Sequence, residues 1–170
     1  MSSRDTELEG QPTAPVVERQ KLVRCSTVGS DGQRGVRYIA LEMFSLWEPM
    51  MRDRHQLECS DYSVGLWISA DEFNNAPRLF EHSGEIEEVD RFDFTLFDEV
   101  NHYNYTASRY VPRSDAERFS QVMLAHLGRE MPRSDQFEMR VVPGYCIGKK
   151  AVSDRNQLVL GLYHQLHEVH

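Results

Sequence analysis

The 170-residue chain has no apolar run near the ~20 residues that cross a bilayer as a helix, and no basic stretch leading into an apolar one, the pattern of a secretory leader. Neither a spanning helix nor an exported product is expected. Cysteine is scarce: Cys25, Cys59 and Cys146 are odd in number and far apart. That spacing matches no disulfide framework or zinc pattern, so a reducing compartment is expected. Positive charge is also short, with 19 Lys and Arg against 27 Asp and Glu, a net of −8. Contacts to phosphates need clustered cations, so direct sequence-specific nucleic-acid binding is not expected.

Chemistry-bearing patterns are thin as well. A nucleophile needs a base and an orienting group, and no G-x-S-x-G or local cysteine motif supplies them. His164, His167 and His170 are the best-spaced metal candidates, but they lie in the last seven residues with no cysteine nearby. No catalytic residue, cofactor or metal site is assigned, and the chain is read as non-enzymatic.

What is present suits one α+β domain over residues 16–170, mainly antiparallel sheet with one strong helix and one or two more, behind a flexible arm at 1–15. "KLVRCSTV" (21–28) reads as a strand. The glycines at 29, 32 and 35 read as a hairpin turn rather than a phosphate cradle, because a strand-like run follows. That run, "VRYIALEMFSLW" (36–47), reads as the second strand, and "YSVGLWIS" (62–69) as the third. Ser69 with Glu72 suits the cap of a short helix. In "VDRFDFTLFDEV", Phe92, Phe94 and Leu96 share one face, and Arg91, Asp93 and Thr95 the other. "YNYTASRYV" alternates too, so the two form a hairpin about residues 99–102. Asp90, Asp93 and Asp98 read as a solvated strand face rather than a cation site.

The strong helix is "SDAERFSQVMLAHLG" (114–128). Ser114 and Glu117 form a capping box, Gly128 ends it, and Phe119, Val122, Met123 and Leu127 make its apolar stripe. His126 beside that stripe reads as a half-buried, satisfied histidine. "QFEMRVV" reads as another strand. The tail "NQLVLGLYHQLHEVH" fits helix and strand equally.

Two surface features stand out. In "SLWEPMMRDRH", Trp47, Met50 and Met51 sit beside Arg52 and Arg54, an apolar and basic tip suited to a membrane or a neighbouring subunit; the plainer reading is a loop closing over the core. "GKK" adds Lys149 and Lys150. The other feature is the arm, whose composition cannot bury enough apolar surface to offset ordering entropy. It carries Pro12, Thr13, Ala14 and Pro15. This tetrapeptide resembles the PTAP late domain of enveloped-virus structural proteins, and an extended proline-rich arm loses little entropy on docking into a groove.

"VGSDGQRGVRYIALEMFSLWEP", then "DYSVGLWIS", then a strand and a capped helix, covers residues 28–128. In order and spacing it is similar to the small matrix proteins of bornaviruses and rhabdoviruses. The resemblance implies a self-associating α+β domain in the virion, in the host cytoplasm and at the inner face of the host membrane. It also implies contact with the viral nucleocapsid, and with the ubiquitin-E2-variant domain of host ESCRT-I through Pro12–Pro15. The alternatives are an acidic interaction module, such as an immunity protein or inhibitor meeting a basic partner, or a small α+β enzyme using His126 or the C-terminal histidines.

Overall fold

The computed structural model describes residues 19–75, 78, 84–98, 103–130 and 136–159. Pro12–Pro15, residues 16–18 and the three C-terminal histidines lie outside them.

β1 (Arg19–Val28) and β2 (Arg34–Ala40) form the expected hairpin, in register from Leu22↔Ala40 to Val28↔Arg34. Gly29 N–H donates to the Gln33 carbonyl, and Gly32 takes a φ of 82°, open to glycine without strain. β3 (Glu58–Ser69) pairs with the other edge of β1. Ser69 Oγ accepts from Glu72 N–H at 3.2 Å and caps the short helix Ala70–Asn75. β4 (Ile86–Asp98) and β5 (Tyr103–Pro112) run as one long ladder from Val89↔Pro112 to Asp98↔Tyr103, and the turn expected at 99–102 lies outside the described residues.

β6 (Gln136–Val142) and β7 (Gly144–Ala151) are two halves of one strand. Both pair with the same edge of β4, and the register runs through Pro143 without a slip: Glu88 faces Tyr145, and three residues on, Arg91 faces Val142. Proline cannot donate to a ladder, so the strand is interrupted there without being displaced. β7 was not foreseen; Gly144, Cys146 and the lysine pair hide a strand that pairs with both β3 and β4.

Every pairing is antiparallel, and the order β5-β2-β1-β3-β7-β4 returns to β5 through the β4–β5 ladder. The sheet thus closes into a ring, joined at its narrowest point by the single pair Tyr38↔Tyr110. Closure divides each strand into an inward and an outward set. Leu22, Tyr38, Trp67, Val89 and Cys146 are buried inside, with Val36, Tyr110 and Val142 against them. Val23, Cys25, Ile39 and Val64 point outward into a second core under α1 (Phe44–Arg54). α2 (Ala70–Asn75) covers a third cluster through Phe73, on Ile68 and Ile147. α3 (Ala116–Glu130) covers a fourth through Phe119 and Met123, on Phe92, Phe94 and Val111.

Ring closure overturns one expectation. The Arg91–Asp93 side of β4 faces the interior of the ring rather than open solvent, with Asp93 half-buried and the Asp98 side chain outside the described set. Arg91 is 4% exposed and grips Asp93 from Nε and Nη2 at 2.9 and 3.0 Å. Ser108 Oγ donates to Asp93 Oδ1 at 2.7 Å, and the Arg91 guanidinium lies 5.1 Å from the centre of the Trp67 ring. Asp90, on the outward side, is buried as well and accepts from Arg113 Nε at 2.9 Å. Trp67 Nε1 donates to the Val89 carbonyl at 2.8 Å. The ring of Trp67 lies over Gly144, where a Cβ would overlap both it and the Ile68 carbonyl.

The strong helix also differs at its ends. A 3-10 turn, Arg113–Asp115, takes the place of the Ser114 cap, and the helix runs through Gly128 to Glu130. Val122 is 59% exposed and His126 is exposed, so the apolar stripe narrows to Phe119 and Met123 among the described side chains. At the start of the tail, α4 (Arg155–Val159) is helical and buries Leu158, and the remainder lies outside the described residues.

Candidate interaction surface on the first helix

The run read as a second strand, residues 36–47, changes structure half-way. β2 stops at Ala40, Leu41–Met43 form a 3-10 turn, and α1 begins at Phe44. Leu41, Phe44, Glu48 and Met51 are the buried residues, spaced by three and four, a helical period. Pro49 sits inside the helix and removes one backbone donor. β-branched and aromatic content made this segment look like a strand; the apolar spacing past Ala40 was the signal for a helix.

The sequence-selected residues therefore part company. Met51 is buried in the core under the helix, against the expectation of an exposed tip. Trp47 is half-buried, and the Arg109 guanidinium from β5 stacks 4.2 Å from its ring centre. Met50 is half-exposed, and Arg52 and Arg54 are exposed. Lys150 is exposed on β7, while the Lys149 side chain lies outside the described set.

At about 100° per residue, Leu46 lies roughly opposite Phe44, with Met50 next to it and Arg54 beyond. Leu46 is 55% exposed, and Met43, one turn earlier, is 37% exposed. Met43, Leu46 and Met50 thus line the outer side of α1, between the Trp47–Arg109 stack and the carboxylate of Asp53. Sequence reasoning passed over Met43 and Leu46 because a strand assignment splits them between two faces.

The inner side holds a charge that was also missed. Glu48 is buried and accepts from Arg155 Nη2 of α4 at 2.5 Å, with Arg52 Nη1 at 3.5 Å. The hydrogen bond Arg155 donates to Glu48 raises the Arg155 pKa, which keeps the guanidinium charged. This pair pins α4 to α1 and orients the outer stripe.

A groove of about 640 Å³ opens nearby, lined by residues 59–63 and by Ala151, Val152, Ser153 and Arg155. Burial pushes the Tyr62 hydroxyl on its wall up to about 12, so it stays a neutral donor, and it donates to the Cys59 carbonyl at 2.9 Å. Among the described residues no three His, Cys, Asp or Glu side chains converge on a metal position, and no described helix is long and apolar enough to cross a membrane. No family model, curated protein or solved structure matches this chain.

Proposed function

We propose that this is a matrix-like structural protein of an enveloped virus, acting by contact rather than by catalysis. The observation that carries the reading is the outer stripe of α1. Leu46 and the half-exposed Met50, with Met43 in the turn just before the helix, lie on the side away from buried Phe44, Glu48 and Met51. An exposed cation, Arg54, flanks it, while Arg52, also exposed, leans toward Glu48 on the other side of the helix. Apolar side chains beside arginine suit the headgroup region of an anionic leaflet, where the apolar groups bury and the guanidinium groups meet phosphate. Self-association would multiply such weak contacts into avidity. Pro12, Thr13, Ala14 and Pro15 add a recruitment ligand for the ESCRT-I ubiquitin-E2-variant domain, and the nucleocapsid is the expected internal partner. The sites of action in this reading are the virion and the inner face of the host membrane.

The test is flotation with phosphatidylserine-containing liposomes, paired with light scattering of the free protein. The wild-type chain is expected to float and to self-associate, and a Leu46→Asp, Met50→Asp variant to remain at the bottom of the gradient. A wild-type protein that stays monomeric and ignores the vesicles overturns the reading. The arm is tested separately. Changing Pro12 and Pro15 to Leu should abolish chemical-shift changes in the purified ESCRT-I domain and leave the fold unchanged.

A further inference from the structure

Cys25 and Cys59 sit across the one irregularity in the β1–β3 ladder. Arg24 faces Ser63 and Ser26 faces Ser60, so Cys25 alone opposes Asp61 and Tyr62. This is a β-bulge, and Asp61 adopts a φ of 54° within it. Cys59 faces Thr27, two residues along from Cys25. Both side chains belong to the core beneath α1, and neither is in a disulfide.

Their environments are unequal. Cys25 is 0% exposed, whereas Cys59 is partly exposed and lines the 640 Å³ groove. Their side chains pack in one cluster, set diagonally to each other across the bulge. The neighbouring Cys59, and then burial, push the Cys25 thiol up, while the neighbouring Cys25 holds the Cys59 thiol below its usual value against burial and the Glu48 charge, with Arg37 and Arg155 assisting. The outer sulfur is thus the better thiolate and the inner one its proton-bearing neighbour, the division of labour of an attacking and a resolving cysteine.

We propose that Cys25 and Cys59 form a peroxide-oxidisable dithiol, with Cys59 attacking from the groove and Cys25 resolving from within, that closes to a disulfide between β1 and β3. The Cys59 thiolate takes the terminal oxygen of hydrogen peroxide; the O–O bond breaks, and hydroxide leaves and is protonated to water. Cys25 sulfur then attacks the Cys59 sulfenic sulfur and displaces hydroxide, which carries off the Cys25 proton as a second water. Two thiols and one peroxide become one disulfide and two waters, and an external dithiol reverses the change. This site is independent of the membrane-contact reading.

The experiment treats reduced full-length protein with stoichiometric hydrogen peroxide under native conditions, followed by alkylation, intact mass and peptide mapping. The expected result is a loss of two hydrogens, a mapped Cys25–Cys59 bond, restoration by dithiothreitol, and oxidation at least about tenfold faster than at Cys146, which is buried inside the ring. In a Cys25→Ser variant the Cys59 sulfenic acid should persist and be trapped by dimedone. The wild-type map decides the matter if that variant fails to fold. Oxidation of Cys146 at the same rate, or a Cys59 adduct or intermolecular bond with no Cys25–Cys59 linkage in wild type, overturns the proposal.

Discussion

The inside of the ring and the outside of α1 reverse the usual arrangement of a small domain. Inside, charge is carried on the strand face that lines the ring: Arg91 is buried over the Trp67 ring and holds a half-buried Asp93. Outside, Met43, Leu46 and Met50 are left toward solvent. The interior can hold charge because each group there has a partner of fixed geometry. Asp93 receives two donors from Arg91 and one from Ser108, so few of its lone pairs are left unmatched. The interior is therefore committed to holding the fold, whereas the outer stripe contributes little to it and is free to meet something else.

Five variants bear on that contrast. The largest loss is expected from Trp67→Ala, which empties the middle of the ring and leaves the Val89 carbonyl without its donor; about 4 kcal/mol of unfolding free energy should vanish in a urea titration. Asp93→Ala strips Arg91 of its carboxylate while the guanidinium stays buried, and about 3 kcal/mol is expected. A double Arg91→Leu, Asp93→Leu variant sharpens the point, because it removes both charges and should cost less than the single change; a larger cost would show that the pair itself stabilises the ring. Gly144→Ala forces a methyl into the Trp67 ring and the Ile68 carbonyl, so about 2 kcal/mol should be lost and the tryptophan emission should shift as the ring moves. Leu46→Asp with Met50→Asp is expected to change stability least, within about 0.5 kcal/mol. A loss of several kcal/mol there would mean that the stripe belongs to the core and not to a surface for partners.

The difference between the two regions also explains which parts of the chain were legible. The β4–β5 hairpin was readable residue by residue, since Phe92 and Phe94 alternate with charged neighbours and the intervening turn is short. The Ser69–Glu72 cap needed only local donors and acceptors. α1 was misread because Tyr38, Ile39, Phe44 and Trp47 all favour strands, and propensity yields to packing where Leu41, Phe44 and Met51 can all reach one core. β7 was missed because its strength comes from two neighbouring strands rather than from its own residues.

The sequence by itself determined the α+β class, the hairpin turns and which residues of a strand share a face. Those depend on bonds within a few residues and on a side-chain period of two or 3.6. Only the tertiary structure decided which face meets water. Arg91 and Asp93 alternate with phenylalanines as any solvated charges would, and ring closure, through contacts between residues far apart in the chain, turned that face inward. The same holds for Glu48 and for the placing of Cys25 and Cys59 on either side of the β1–β3 bulge. Each depends on a partner more than 30 positions away, Arg155 for Glu48 and a neighbouring strand for the cysteines. Periodicity carries no information about such partners.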